Sequence, residues 1–368
     1  MRSAQQAEYL PRLDHLRFFA AALVLLFHFF HLHVGDIRAN NPLLSLVDEG
    51  HTGIGLFMVV SGFIFTLLAR DHEVMYWQFI RNRVIRIYPL FVFAVFLSLF
   101  ISTYNEHKNY GFDALLGWLV PFRSDTVPLA KYFIQLWTIW VEFQFYLLFP
   151  FLHSFVNRYG TRYLLGLIGL FILMRVLLFS ITGSVRFVAY ETIFGRMDQF
   201  LIGMVVARLY LRQRTICQNP LWLLAAGLLL VVAVHAFNRI DGFTNFNHPI
   251  WVIWTTCEGA FWGLFLIAYV NCRWSWPRPI EDWLARLGTI SFSMYVMHNF
   301  VIAAVSPIVG VVGFSSKTAL NVVLTGVTFA LPAVVVVSAV TYFLIERPFL
   351  RYRRSYVRPA VLQGGANQ

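Results

Sequence analysis

The chain has 368 residues, 58% of them hydrophobic and only 13% charged, with a mean hydropathy of +0.65 and a net charge of +11. So little polar surface excludes a soluble globule of this length and points to an all-α, polytopic integral membrane protein. The positive charge is spread over the loops between apolar stretches, which reads as a topology signal and argues against nucleic-acid binding.

Apolar stretches near the roughly 20 residues that cross a bilayer predict about ten transmembrane helices. The first covers about residues 16–34 and carries Arg17 and His28. It follows a basic start, as a signal peptide does, but it lacks a clear small-residue cleavage site and reads as a retained first span. Eleven residues return a helix to within about 20° of its starting direction and climb roughly 16.5 Å, so Arg17 and His28 share a face three turns apart. Two chemistries suit His28: a general base tunable across neutrality, or a histidine bonding between helices. His31 falls on the same face and His33 follows, yet no carboxylate or cysteine stands at matching spacing, so no metal is expected.

The second span, about 51–69, contains Gly53, Gly55 and Gly62, small residues that let helices approach closely, with Ser61 beside the last. Before and within the third span, about 87–104, come Arg81, Arg83, Arg86, Tyr88 and Pro89. Arg83 and Arg86 are helix neighbours and form a cationic patch suited either to a phosphorylated ligand or to lipid headgroups. The long loop that follows, about 105–130, has room for a short interfacial helix over 112–120.

The fourth span, about 132–152, holds Glu142, an intramembrane carboxylate that is either functional or paired with Arg175 or Arg196. Spans at about 163–181, 197–210, 220–237 and 249–271 follow, the stretch 197–210 being the least apolar. Trp118, Trp137, Trp140, Trp251 and Trp254 lie near predicted span ends, where indoles settle at the headgroup level. In the span at about 289–311, Ser291, Tyr295 and His298 form one helical stripe, serving either chemistry or interhelical bonding. The last span is about 319–345.

An inside N-terminus leaves most of the 29 lysines and arginines on the cytoplasmic side, from Arg2, Arg12 and Arg17 through to Arg347, Arg351, Arg353, Arg354 and Arg358. Both termini are therefore expected in the cytoplasm. All three lysines fall outside, so the inner cations are arginines, whose planar fork suits phosphate. A GC-rich genome gives the same bias. Cys217, Cys257 and Cys272 show no ligand or disulfide spacing. No repeat or soluble domain is evident. Residues 1–358 are expected to form one transmembrane domain and 359–368 a disordered tail.

The order of these motifs resembles the membrane acyltransferase 3 family of bacterial O-acyltransferases. It runs from Leu13-Asp14-His15-Leu16-Arg17 and His28, through Gly55 to Phe63, Arg83 to Pro89, Trp137 to Tyr146, Arg196 to Gly203 and Ile290 to His298. It ends at Ile345-Glu346-Arg347-Pro348-Phe349. His15 and Phe18 depart from the small residues common there and are expected to reshape the inner mouth of the site. Phe143 replaces a frequent second acid. No fused SGNH domain is expected.

The resemblance implies a bacterial cytoplasmic (inner) membrane enzyme with no tightly bound cofactor. Its donor substrate would be acyl-CoA, acetyl-CoA foremost, and its acceptor a hydroxyl of an envelope glycan, lipopolysaccharide or glycolipid. It implies catalytic roles for His28, Arg17 and Glu142, and donor binding by Arg17, Arg83, Arg86 and Tyr88. Acceptor or oxyanion contacts would come from Ser61, Tyr146, Ser291, Tyr295 and His298. An extended pantetheine arm is of the same order as the roughly 16.5 Å between Arg17 and His28. The competing class is a transporter or flippase using the same intramembrane polar groups.

Overall fold

The computed structural model describes residues 9–35, 37–70, 72–107, 112–119 and 134–359, nearly all of them helical. Helix α1 is Pro11–His33. Pro11 sits in the first turn, where its missing N–H is no loss, Asp14 follows it, and His31 and His33 close the last turn, an order that suits the helix dipole. The short α2 (Pro42–Asp48) is capped by Asn41, whose side chain accepts from the Leu44 amide at 2.8 Å. Helix α3 (Gly53–Ala69) runs back, β1 (His72–Val74) turns the chain, and α4 (Tyr76–Glu106) crosses again.

The short α5 (Phe112–Leu119) occupies the position expected of a loop helix. Then come α6 (Trp137–Tyr159), α7 (Thr161–Thr182), the short α8 (Arg186–Glu191), α9 (Ile193–Arg212), α10 (Pro220–Arg239) and α11 (Trp254–Asn271). An amphipathic α12 (Arg278–Thr289) precedes α13 (Ser291–Val309). The final rod, Thr318–Leu350, joins α14 (Thr318–Thr325), α15 (Leu331–Thr341) and α16 (Arg347–Leu350) through π-helical turns at Gly326–Ala330 and Tyr342–Glu346. Strand β2 (Val357–Pro359) pairs antiparallel with β1, His72 opposite Pro359. Pro359, assigned to a disordered tail by the sequence, is therefore in a strand, and residues 360–368 lie outside the described residues.

Among the described residues, eight helices are long and apolar enough to cross a membrane, against about ten expected. The two that fall short are α9 and α11. They are less apolar because Arg196, Asp198 and Gln199 on α9 and Glu258 on α11 turn into the protein interior, where all four are buried. Both still run the length of the bundle. Helix α9 follows α8, where Arg186 donates to the Phe243 carbonyl at 3.1 Å, and it ends where Arg208 donates to Asn157 at 2.8 Å. Helix α11 ends beside the α9–α10 loop, where Asn271 donates to the Ile216 carbonyl at 3.0 Å.

Small residues decide the tightest crossing. A Cβ on Gly62 would stand 2.1 Å from the Phe200 carbonyl oxygen, and one on Gly203 would stand 2.1 Å from the Val59 carbonyl oxygen. Helices α3 and α9 thus meet backbone to backbone, and Gly62 is a packing residue. Two buried ion pairs lock the same region: Arg175 to Asp198 at 2.8 Å and Arg196 to Glu258 at 3.1 Å. The tryptophans correct the sequence expectation. Trp118, Trp137, Trp140, Trp251 and Trp254 are all buried against other side chains rather than exposed to lipid headgroups. Stacking explains part of this, since Trp254 lies flat on Phe237 and the Arg196 guanidinium packs over Trp137.

Candidate active site

A cavity of about 410 Å³ enters the bundle at the arginine-rich end. Tyr9, Asp14, Arg17 and Arg353 stand at its mouth, Arg83 and Arg86 line its wall, and Ser61, Glu142, Tyr146 and Ser291 lie along it. Its far end is closed by Ile54, Phe57, Thr138 and Tyr295. Ile54 and Thr138 belong to the first turns of α3 and α6, at the end of the bundle where α1 finishes, so the cavity runs most of the way across.

The walls carry unbalanced positive charge. Arg17 donates to Asp14 at 3.0 Å, and Arg86 pairs at 2.8 Å with Glu346, which also accepts from the Ser293 hydroxyl. The π turn Tyr342–Glu346 delivers Glu346 to that position with 0% of its side chain exposed. Arg83 and Arg353 have no carboxylate partner among the described residues. Arg83 is held by rings instead, its guanidinium 4.8 Å from the Phe65 ring centre and 5.8 Å from that of Tyr146. Arg353 stands close enough to Arg83, Arg86 and Arg17 for the four guanidiniums to repel one another. Two buried polar atoms on this wall, Arg83 Nε and Ser291 Oγ, have no hydrogen-bond partner among the described residues. Unmet donors beside crowded cations suit an anionic, oxygen-rich ligand.

Beyond the far wall lies a histidine pair. His28 Nδ1 is 2.9 Å from the Val24 carbonyl oxygen and 3.3 Å from His298 Nε2, while His298 Nδ1 is 2.6 Å from the Tyr295 carbonyl oxygen. A carbonyl oxygen only accepts, so both Nδ1 atoms carry the proton, and His298 Nε2 accepts a second share of the His28 N–H. That pattern leaves His28 Nε2 with its lone pair, the form a base requires. Neither imidazole lines the cavity. Tyr295 stands between, its ring 5.7 Å from that of His298 and edge-on to Phe57. Its hydroxyl accepts from Thr138 at 2.6 Å and donates to the Gln135 carbonyl at 2.6 Å, so its proton is already committed.

The sequence-derived candidates divide accordingly. Arg17, Arg83, Arg86, Ser61, Glu142, Tyr146, Ser291 and Tyr295 converge on one cavity, and His28 with His298 lies behind it. Tyr88 does not belong. At about 100° per residue it points roughly 140° away from Arg83, and its hydroxyl donates to the Leu119 carbonyl at 3.4 Å. Glu142 does not pair with Arg175 or Arg196, which are taken by Asp198 and Glu258; it accepts from Ser61 at 3.0 Å instead. His15 and Phe18 do not shape the mouth. His15 ties α1 to Tyr269 and to the Glu281 carbonyl, each at 2.9 Å, and Phe18 packs on Trp283. Glu346 and Arg353 were not nominated from sequence, although Glu346 lies in the Glu-Arg-Pro-Phe motif. His31 pairs at 3.4 Å with Asp48, and His33 Nδ1 faces the Phe29 carbonyl of its own helix.

At the opposite end a smaller cavity of about 120 Å³ is lined by His31, Asp48, Glu49, Asn238 and Asp241. It lies one helical turn along α1 from His28.

Known proteins supply the class. The acyltransferase domain family matches residues 10–343, nearly the whole chain, and the chain belongs to that acyltransferase 3 family. It is a multi-pass membrane acyltransferase. Among its relatives, the acyltransferase MdmB of Streptomyces mycarofaciens is 26% identical over 321 residues, spanning 80% of this chain and 79% of that protein. The O-acetyltransferase OatA of Staphylococcus aureus is 27% identical over 226 residues, 54% of this chain and 34% of the longer relative. No solved structure matches the chain.

Proposed function

We propose that the protein is an O-acyltransferase that moves an acyl group, acetyl foremost, from cytoplasmic acyl-CoA to a hydroxyl of an envelope glycan, lipopolysaccharide or glycolipid in the bacterial inner membrane. The observation that carries this reading is the cationic cavity, which leads from the cluster of Arg17, Arg83, Arg86 and Arg353 at one end toward His28 near the other. Phosphates bound by Arg17, Arg83 and Arg86 leave the pantetheine arm free to extend inward. Because α1 is one unbroken helix, its roughly 16.5 Å rise from Arg17 to His28 matches the order of that arm.

His28 Nε2 takes the proton of the acceptor hydroxyl as its oxygen attacks the thioester carbonyl. The tetrahedral intermediate collapses with cleavage of the carbon–sulfur bond, and the CoA thiolate takes up the proton from His28. Tyr295 must turn aside for the thioester to meet the imidazole. Glu142 and Ser61 bind polar groups along the path, and the buried Ser291 hydroxyl, flanked by the Arg86 contacts at Thr289 and Phe292, donates to the donor near its phosphates. The acceptor approaches from the opposite end, past the smaller cavity beside His31.

Mass spectrometry of envelope glycans and glycolipids from cells expressing wild-type protein is expected to show a gain of one acyl group that His28→Ala removes. Identical spectra from expressing and non-expressing cells would sink the proposal. An acyl-histidine relay through the same residue is separated by rapid-quench labelling with radiolabelled acetyl-CoA and no acceptor, because direct transfer predicts no label on His28.

A further inference from the structure

Arg353 lies beyond the last helix, in a segment that the reaction above does not use. It is the most exposed of the four arginines around the cavity, exposed as a residue where the side chains of Arg86 and Arg17 are 14% and 24% exposed. Its place is fixed from the start of α4. The buried Asn82, next to Arg83, donates its amide to the Arg354 carbonyl at 2.6 Å and accepts from the Arg354 N–H at 3.1 Å. The Met75 amide donates to the Tyr356 carbonyl at 2.8 Å, and the β1–β2 pairing follows directly. The strap that carries Arg353 is thus clamped to the helix that carries Arg83 and Arg86.

Holding a fourth guanidinium against three others, with no carboxylate of its own among the described residues, opposes folding unless an anion enters. The order of the cations along the cavity matters. A CoA molecule carries two separate charged groups: a pyrophosphate at the head of the pantetheine arm and a 3′-phosphate on the ribose, farther from the thioester. With the pyrophosphate on the inner arginines, the outermost charge of the donor falls at the outermost cation.

We propose that Arg353, positioned by the Asn82 clamp, recognises the ribose 3′-phosphate of the donor and so separates CoA from carriers that present phosphopantetheine alone. The proposal rests on the acyl-CoA reading and deepens it. A phosphate monoester in a lipid headgroup shares this chemistry, so the test compares nucleotides that differ only in the 3′-phosphate.

The experiment is calorimetric titration of CoA and 3′-dephospho-CoA into the full chain in phosphatidylcholine nanodiscs. Wild type is expected to bind CoA about tenfold more tightly, the effect of one charge-assisted contact at a partly wet site. Arg353→Gln should weaken CoA to the level of 3′-dephospho-CoA and leave the latter unchanged. Asn82→Ala, which frees the strap, should reduce the same preference. An Arg353→Gln protein that keeps the preference, or that loses affinity for both nucleotides equally, overturns the assignment. So does a variant whose nucleotide binding is unchanged while its retention of phosphatidic acid falls, which marks a lipid site. Failure of wild type to bind either nucleotide overturns the acyl-CoA reading itself, and this proposal with it.

Discussion

His28 and His298 show how a lone imidazole gains a defined protonation pattern. Val24 supplies the carbonyl that fixes the His28 tautomer, and His298 adds a second acceptor at 3.3 Å. In the proposed mechanism His298 is a positioning residue, since it acts through His28. Replacing it by Ala is expected to lower kcat by about 10²-fold with little change in the KM for acetyl-CoA, the lower end of general-base effects. His298→Gln, which still offers an acceptor, should restore part of the rate. A Gln variant no better than Ala, or a matching rise in KM, would show that His298 serves packing alone. Residues such as His28 and Glu142 were legible because each interrupts an apolar run, where a polar group is costly, and Arg83 because it stands three residues from Arg86 in a basic cluster. Their partners were not. Glu346 reaches Arg86 across 260 positions of sequence, and no local spacing records that meeting.

Among the elements, the α3–α9 contact is the most sharply determined. At Gly62 an added methyl would meet a backbone carbonyl that cannot swing away, so Gly62→Ala is expected to cost about 1–3 kcal/mol, the usual range for overpacking. Gly166 in the first half of α7 supplies the contrast, for a Cβ there meets nothing within 4 Å. Gly166→Ala should be neutral, or stabilising by up to about 1 kcal/mol through helix propensity. Thermal unfolding of the two variants in detergent checks the pair, and equal melting temperatures would refute the contact as described. Helix positions were legible from runs of apolar residues, and even the short α5 fell at its expected place. The π turns were not, because a π turn changes the period by one residue within an otherwise uniform apolar stretch.

For the molecule as a whole, stability is concentrated where α7, α9 and α11 meet. Arg175 donates to Asp198, to the Thr255 and Thr256 hydroxyls and to the Gly195 and Val252 carbonyls, all within 3.1 Å. Asp198→Ala leaves that cation buried without its counter-charge and is expected to cost about 3–5 kcal/mol. Asp198→Asn keeps acceptors for the hydrogen bonds and should lose less. Thermal unfolding in detergent reads both, and an Ala variant as stable as wild type would remove the ion pair from the account. These variants should impair folding and yield without altering the nucleotide preference assigned to Arg353.

Composition and apolar periodicity were sufficient to establish a helical membrane bundle, its arginine-rich end and the shared face of Arg17 and His28, because those properties depend only on near neighbours along the chain. The acyltransferase family was legible too, in motifs spread from Leu13 to Phe349. Tertiary structure alone decided which carboxylate meets which arginine, that Tyr88 turns away, that the tryptophans are core residues, and that Arg353 returns to the cavity mouth. Each of those depends on contacts between residues tens to hundreds of positions apart, whose partners are selected by burial and geometry rather than by sequence spacing.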